Sequence, residues 1–237
     1  MLGRFLEVSL PAPAILESWS FYQRLGFTAA TAGEIWPHRY AVVTDGRIAL
    51  GLHDAGVDAP LLSYVLPDLA RHLPRLEDRG IDFDSRSLGE SSFNVALFTA
   101  PDVQGVRLLE ARTFSPPERA RPSLLGWFEE YAVPVADLAA ARDFWEGCGF
   151  VTAAEDAAPW PHLALTSDSL NIGLHRTREL PAATLLFSHE DVAALRAQLA
   201  AAGIACEQRL PRALDPRSHL LVIAPEGTRL LVGPPPA

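Results

Sequence analysis

Residues 6–27 read LEVSLPAPAILESWSFYQRLGF, and residues 129–150 read EEYAVPVADLAAARDFWEGCGF. The two stretches align without a gap, with Pro11 on Pro134 and a Gly-Phe pair at the end of each. In both, a strand-like segment precedes a segment with the 3.6-residue period of an amphipathic helix. The same strand and helix therefore occur twice, which indicates a duplicated sequence.

The duplication extends over most of the 237 residues. WPH occurs at residues 36–38 and again at residues 160–162, and RIALGLH of residues 47–53 aligns with SLNIGLH of residues 169–175. Strand and helix patterns also restart within each copy. The chain is therefore expected to contain four βαβββ units and to adopt an α+β fold.

Each copy is predicted to form one domain of two units, with a curved mixed sheet that carries helices on one face and a concave pocket on the other. We place the domains at residues 1–112 and 124–237 and the linker at residues 113–123, whose prolines and arginines continue neither a strand nor a helix. The clearest helix is predicted at residues 190–202, with Ser188 as its N-cap. Whether units pair within a half or across halves stays open.

The composition favours a compact protein that binds a small molecule. Hydrophobic residues make up 49% of the chain, and a formal charge of −9 leaves little of the basic surface that nucleic acids or anionic membranes require. The sequence contains no lysine, which excludes Schiff-base catalysis and a P-loop. We predict a cytoplasmic protein without a disulfide between Cys148 and Cys206. The expected partners are a small-molecule ligand and a second copy of the chain in a homodimer.

Three groups of motifs resemble the vicinal oxygen chelate superfamily, which includes glyoxalase I, bleomycin-resistance proteins and extradiol dioxygenases. These motifs are FLEVSLPAPAILESWSFYQRLGF, GRIALGLH, and the turns APDVQGVRLLE and APEGTRLLV before the last strand of each copy. The resemblance covers nearly all of both halves and implies that each half is a glyoxalase-like domain. Because this fold carries many unrelated activities, the resemblance predicts the fold more closely than the reaction.

The resemblance also implies a divalent metal, held by His, Glu or Gln on strands that face the cavity. The corresponding positions fall on Glu7, Gly51, Leu61 or Leu62, and Leu109 in the first copy, and on Glu130, Gly173, Thr184 or Leu185, and Leu231 in the second. Each set contains a single carboxylate, whereas a divalent cation needs several donors from different strands. We therefore predict a cavity without a metal and without another cofactor.

Strand alternation suggests which side chains line the first cavity. If Glu7 faces the cavity, then Phe5 and Ser9 share its face, and His53 on a neighbouring strand lies within reach. The second copy offers Glu130 and His175 in the same way. Each pair is a candidate acid–base centre. The alternative is that solvent or the backbone satisfies these side chains.

The WPH motif and two strand glycines are candidate ligand contacts. Trp36 and Trp160 are predicted at the cavity edges, where an indole can stack on a planar ligand while His38 or His162 supplies a polar contact. The alternative is that tryptophan covers the end of the sheet. Gly51 and Gly173 inside strands indicate either close approach of a ligand or backbone, or a bulge; we include both as substrate-binding residues.

These features support three functional hypotheses. The first is a metal-free protein of the glyoxalase and bleomycin-resistance type that binds a small aromatic or planar molecule. The second is a lyase, isomerase or dioxygenase that uses Glu7, His53 and their duplicates Glu130 and His175 for acid–base chemistry or for a non-standard metal site. The third is a scaffold whose pockets are relics.

Overall fold

The computed structural model describes residues 2–31, 36–89, 94–110 and 122–235. The first half contains β1 (Arg4–Pro11), α1 (Ile15–Arg24), β2 (Thr28–Ala30), β3 (Tyr40–Thr44), β4 (Ala49–His53), β5 (Leu61–Val65), α2 (Leu69–Glu77), β6 (Phe83–Ser87), β7 (Val95–Thr99) and β8 (Gly105–Leu109). The second half contains β9 (Trp127–Pro134), α3 (Leu138–Gly147), β10 (Val151–Asp156), β11 (His162–Thr166), β12 (Asn171–His175), β13 (Thr184–Ser188), α4 (Val192–Ala201), β14 (Leu220–Ile223) and β15 (Arg229–Gly233).

Each half forms its own mixed sheet, as the α+β prediction requires. The first sheet has the order β2-β3-β4-β1-β5-β8-β7-β6, and the second has the order β10-β11-β12-β9-β13-β15-β14. Strand β1 runs parallel to β4 and antiparallel to β5, so it joins the two units of the first half. Strand β9 does the same in the second half. The four units therefore pair within halves, so the two predicted cavities correspond to separate sheet faces. The first cavity is the face that bears Glu7, and the second cavity is the face that bears Glu130.

The fourth unit differs from the predicted βαβββ pattern, because residues 202–219, all of them described, form no strand. Pro211 and Pro216 interrupt this segment, and proline cannot donate to a strand ladder. Leu210 and Leu214 instead pack on the leucines of the second cavity. The second sheet consequently has seven strands where the first has eight.

A β-bulge at the start of each central strand changes which residues face the cavity. Phe5 pairs with Tyr64 and Glu7 pairs with Ser63, so Leu6 is the extra residue. Phe5 therefore packs edge-on against Tyr64 in the core, and the prediction that Phe5 shares the cavity face with Glu7 is wrong. Simple alternation fails here because one inserted residue reverses the side-chain direction.

Aspartates cap the two helices of the second half. The Asp137 carboxylate accepts hydrogen bonds from the backbone N–H groups of Ala139 and Ala140 at the start of α3. Asp191 caps α4 in the same way, through the N–H group of Ala194. The prediction of Ser188 as this N-cap is wrong, since Ser188 ends β13 and donates its hydroxyl to Glu129. Aspartate and serine are equally good N-cap residues, so the sequence pattern did not distinguish Ser188 from Asp191, which directly precedes α4.

One apolar core contains the helix-side residues of both halves, including Tyr22 of α1 and Trp145 of α3. Tyr22 donates to Glu226 at 2.6 Å across the halves, and Tyr131 donates to Gln104 at 2.9 Å. Of the predicted linker, only Pro122 and Ser123 lie within the described residues. Cys148 and Cys206 are free thiols. Within the described ranges no helix is long and apolar enough to cross a membrane.

Candidate functional site

Glu7 is the centre of a buried polar cluster in the first half. Its side chain is 1% exposed, and its two oxygens accept hydrogen bonds from three donors: the Ser9 hydroxyl at 2.7 Å, His53 Nε2 at 3.1 Å, and the Tyr40 hydroxyl. Ser63 then donates to Ser9 at 2.8 Å, because the hydroxyl hydrogen of Ser9 already points to Glu7. Three donors on two oxygens suit the ionised carboxylate, which only accepts.

The hydrogen bonds of Glu7 determine the tautomers of two histidines. A carboxylate accepts from His53 Nε2–H, which leaves Nδ1 of a neutral His53 as an acceptor. His38 Nε2 lies 2.9 Å from that Nδ1 and donates to it. The lone pair of a neutral His38 is then on Nδ1, on a half-buried ring near Gly56. Two successive hydrogen bonds, from His53 to Glu7 and from His38 to His53, therefore connect the buried carboxylate with the basic Nδ1 of His38 at the cavity edge.

The residues around this chain favour a neutral His38. Burial, followed by the nearby His53, lowers the pKa of His38 from its ordinary value of 6.5. Burial and the Glu7 carboxylate raise the pKa of Tyr40 well above its usual range, so Tyr40 stays a donor. His38 is thus an unprotonated base near neutral pH, while Tyr40 holds the carboxylate in place.

The two strand glycines make room for the two carboxylates. A Cβ atom on Gly51 would lie 2.1 Å from Glu7 Oε1, and a Cβ atom on Gly173 would lie 2.1 Å from Glu130 Oε1. A carboxylate side chain of the neighbouring strand, and not a facing backbone, makes the close approach at both glycines. Contact of Gly51 and Gly173 with a substrate stays a prediction.

Trp36 and Arg107 complete the first cavity. The Trp36 ring stacks near His38, with 5.7 Å between ring centroids, and meets His53 edge-on at 5.3 Å. The Arg107 guanidinium lies over the Trp36 ring, 4.6 Å from its centroid. Trp36 therefore lies at the cavity edge, in contact with the acid–base chain and with a buried cation.

The second half repeats the Glu–His pair in apolar surroundings. His175 Nε2 lies 2.6 Å from Glu130 Oε1, and Trp160 Nε1 donates to His175 Nδ1 at 2.8 Å. His162 stacks on His175, with 4.9 Å between centroids and 3° between planes. Trp160 is 8% exposed and packs among leucines. This cavity is filled by its own side chains, and the tryptophan holds the position that His38 has in the first half.

The register of the strands explains why identical WPH motifs have different roles. Tyr40 pairs with His53, and His162 pairs with His175, so His162 is the structural counterpart of Tyr40. The histidine of WPH comes two residues before this strand position in the first half and occupies it in the second. Trp160 therefore reaches the histidine that His38 reaches in the first half.

The residues level with Glu7 differ from those the sequence suggested. Ser63 pairs with Glu7, and Arg107 pairs with Ser63, so the prediction of Leu61 or Leu62 and of Leu109 is wrong by one or two positions. In the second half Glu130 is level with Leu186 rather than with Thr184 or Leu185, and Leu186 is level with Leu231 as predicted. Sequence reasoning missed Arg107, although a single arginine in the apolar strand GVRLL was a visible signal.

The donor sets at these positions do not fit a divalent metal. The first cavity presents Glu7, a glycine, a serine and an arginine, and the arginine charge repels a cation. Both nitrogens of His53 are already used in hydrogen bonds. The second cavity presents Glu130, a glycine and two leucines. Within the described residues, no group of three His, Cys, Asp or Glu side chains converges in a way that suits a metal.

Arg47 lies outside the first cavity, although it begins the RIALGLH segment that carries His53. It lies over the Trp127 ring in a groove of about 560 Å³ between the halves. Turns of both halves line this groove, among them Asp45 and Ser169. The Phe5 N–H group donates to Ser169 at 3.2 Å, so the groove follows the junction of the two sheets.

Comparison with solved structures identifies the fold. Catechol 2,3-dioxygenase superposes with a TM-score of 0.61 at 15% identity, over 99% of this chain and 90% of that chain. Homoprotocatechuate 2,3-dioxygenase from Arthrobacter globiformis gives a TM-score of 0.64 at 13% identity, over 98% and 80%. The 2,2',3-trihydroxybiphenyl 1,2-dioxygenase from Sphingomonas wittichii strain RW1 gives 0.61 at 15%, over 99% and 91%.

The chain therefore has the fold of the vicinal oxygen chelate superfamily, in its tandem two-domain form. The three solved proteins named above are dioxygenases. No family model matches the sequence, and no curated protein sequence does either. At these identities the likeness defines the architecture and leaves the activity to the residues of the site.

Proposed function

We propose that the first half of this protein is a metal-independent acid–base centre of the lyase or isomerase type, which acts on a small organic molecule. The observation that supports this most is the hydrogen-bonded chain from buried Glu7 through His53 to half-buried His38. A carboxylate that orients one imidazole through another needs no metal to produce a base.

In this proposal His38 Nδ1 takes a proton from a C–H group of the substrate. The positive charge that develops on His38 is stabilised through His53 by the Glu7 carboxylate. The proton then returns to another atom of the substrate in an isomerisation, or leaves with the departing group in an elimination. His53 and Glu7 are positioning residues, since they act through His38.

Ring cleavage of the kind named for the structural neighbours is not the reaction we propose. Those dioxygenases share the architecture of this chain, but among its described residues the two cavities present no set of nitrogen and oxygen donors suited to a divalent metal. The likeness to dioxygenases supports an enzymatic cavity, and the side chains present in it support proton transfer.

Binding without turnover is the second candidate, and the aromatic wall of the first cavity favours it. Trp36, Tyr40 and His38 present ring faces and edges around His53, as a site for a planar molecule would. A protein of the bleomycin-resistance type would bind such a molecule tightly and release it unchanged. The two candidates differ in whether bound compounds exchange hydrogen.

Hydrogen exchange in D₂O tests the proposal. A panel of small carbonyl compounds, including acetone, pyruvate and phenylacetaldehyde, is incubated with the protein, and the loss of C–H signals is followed by proton NMR. We expect exchange of at least one compound above the buffer rate, a loss of about 10²–10⁴-fold in His38→Gln, and nearly unchanged exchange in the matched Glu130→Gln variant. Exchange that persists in His38→Gln would overturn the proposal, and so would binding without any exchange.

Four further points remain proposals from the sequence. They are the cytoplasmic location, the homodimer, and the absence of nucleic-acid and of membrane partners. The acidic charge of −9 supports the two exclusions. Size-exclusion chromatography with light scattering measures the oligomeric state directly.

A further inference from the structure

Arg107 is a buried cation that makes no direct ion pair among the described residues, and the Glu7 carboxylate acts on it only through space from two strands away. The residue is 3% exposed, and its hydrogen bond from Nη2 reaches only the backbone oxygen of Gly56, at 3.3 Å. Its Nη1 is buried and has no hydrogen-bond partner. Burying a charge is unfavourable unless hydrogen bonds or an opposite charge compensate for it. An unused N–H group on such a cation therefore indicates a missing acceptor.

A second donor without a well-placed acceptor lies beside it. Trp36 Nε1 is buried and makes no hydrogen bond of ordinary geometry, although it faces the Tyr40 hydroxyl closely enough to oppose the rise in the pKa of Tyr40. The Arg107 guanidinium lies over the ring of this same tryptophan. The indole of the second WPH motif, that of Trp160, lies at the structural position of His38 and does have an acceptor, His175 Nδ1. The first cavity therefore contains two buried hydrogen-bond donors without a well-placed acceptor, next to His38.

We propose that Arg107 and Trp36 form a carboxylate subsite, so that the substrate of this cavity is a small organic carboxylate. That the bound carboxylate is a substrate rests on the proposed acid–base function, whereas the subsite itself rests on the buried donors of Arg107 and Trp36. An arginine can hold a carboxylate through two parallel N–H groups, and the indole N–H adds a third donor. A carboxylate held there lies beside the face of His38, with the rest of the molecule directed towards the basic nitrogen.

The second half lacks this subsite. Leu231 occupies the strand position of Arg107, and Leu186 occupies that of Ser63. Anion binding is therefore expected in the first half alone. Leucine at the equivalent position also shows that this sheet geometry accepts an apolar residue there, which makes Arg107→Leu a substitution that the fold tolerates.

Isothermal titration with sodium benzoate tests the subsite, with benzamide as the uncharged probe of the same shape. We expect benzoate to bind more tightly than benzamide, and Arg107→Leu to weaken benzoate binding by about 10–100-fold. Arg107→Lys should recover part of the affinity, because it restores the charge without the paired N–H groups. Trp36→Phe should cost a few-fold, and the matched Arg47→Leu, in the groove between the halves, should bind benzoate as the parent protein does.

Benzoate binding that is unchanged in both Arg107→Leu and Arg107→Lys would overturn the subsite, as would equal affinity for benzoate and benzamide. Glu7→Gln separates this inference from the proposed function. It should abolish hydrogen exchange but keep or tighten benzoate binding, because a negative charge near the subsite is removed. Arg107-dependent benzoate binding without hydrogen exchange in any compound would refute the proposed function and uphold the subsite. Hydrogen exchange without Arg107-dependent binding would do the reverse.

Discussion

Trp160 donates its indole N–H to Nδ1 of His175 at 2.8 Å, while the equivalent nitrogen of His53 faces Nε2 of His38 at 2.9 Å. The two halves thus satisfy the same imidazole atom with different residues of the same WPH motif. An indole N–H cannot accept or relay a proton, whereas an imidazole can. This one difference limits the proton relay to the first half.

The two tryptophans should respond differently to removal of the indole N–H. Trp160→Phe takes the donor away from buried His175, so we expect the free energy of unfolding to fall by about 1–3 kcal/mol. Trp36→Phe removes a buried N–H group that makes no hydrogen bond of ordinary geometry and keeps a ring at the same place, so the loss should be under about 1 kcal/mol. Urea unfolding followed by circular dichroism compares the two, and a larger loss in Trp36→Phe would contradict the assignment.

The two carboxylates should also differ. Glu7→Gln leaves the donors on Ser9, Tyr40 and His53 with one acceptor fewer in a buried site, and we expect it to lower the free energy of unfolding by about 1–3 kcal/mol. The Glu130 side chain is 12% exposed and pairs with His175, so Glu130→Gln should cost roughly half as much or less. Equal losses in thermal and urea unfolding would show that the two sites are equally strained by the change.

Alanine at the strand glycines should disturb the carboxylates directly. In Gly51→Ala the new methyl group meets Glu7 Oε1 at 2.1 Å, and we expect a loss of about 1–3 kcal/mol from the forced rearrangement. The matched control is Gly147→Ala at the end of α3, where a Cβ atom meets nothing within 4 Å. That change should be neutral or stabilise the protein by up to about 1 kcal/mol. A Gly51→Ala protein as stable as the parent would show that the carboxylate moves freely.

Stability should fall as the pH falls through the ordinary pKa of histidine, partly because of His38. Its pKa is lowered in the folded state, so the unfolded chain binds the proton more readily between the two values. The contribution of His38 is therefore fully present above about pH 6.5 and decreases as the solution is acidified. In His38→Gln the difference in unfolding free energy between pH 8 and pH 5.5 should be smaller than in the parent. His72→Gln, on α2, serves as the control and should keep the parental difference.

Metal analysis tests the donor-set argument. Protein purified without chelators should contain far less than one equivalent of zinc, iron, manganese or nickel. The carboxylate and histidines of each cavity are hydrogen-bonded or stacked on one another, and they form no metal-binding group of three among the described residues. Elemental analysis by mass spectrometry measures this. Stoichiometric metal that disappears in Glu7→Gln or in a His53→Ala variant would establish a non-standard metal site and contradict our interpretation.

The sequence by itself determined the duplication, the α+β class and the identity of Glu7, His53, Glu130 and His175 as pairs. Repeats and hydrophobic periods are properties of the local chain. Strands β4 and β12 both end in GLH and both run parallel to a central strand, so the final histidine meets the carboxylate of that strand in each half. The resemblance drawn from these motifs also predicted the architecture that the solved structures share.

Only the tertiary structure decided which residues meet those pairs. The bulge that moves Phe5 into the core, the two-residue offset between the WPH motifs, and the pairing of Arg107 with Ser63 all depend on strand register. A register shift of one residue reverses the face of every side chain, and no local sequence pattern fixes it. The relay in the first half and the leucine-filled cavity of the second therefore follow from long-range pairing, in two sequences that look alike.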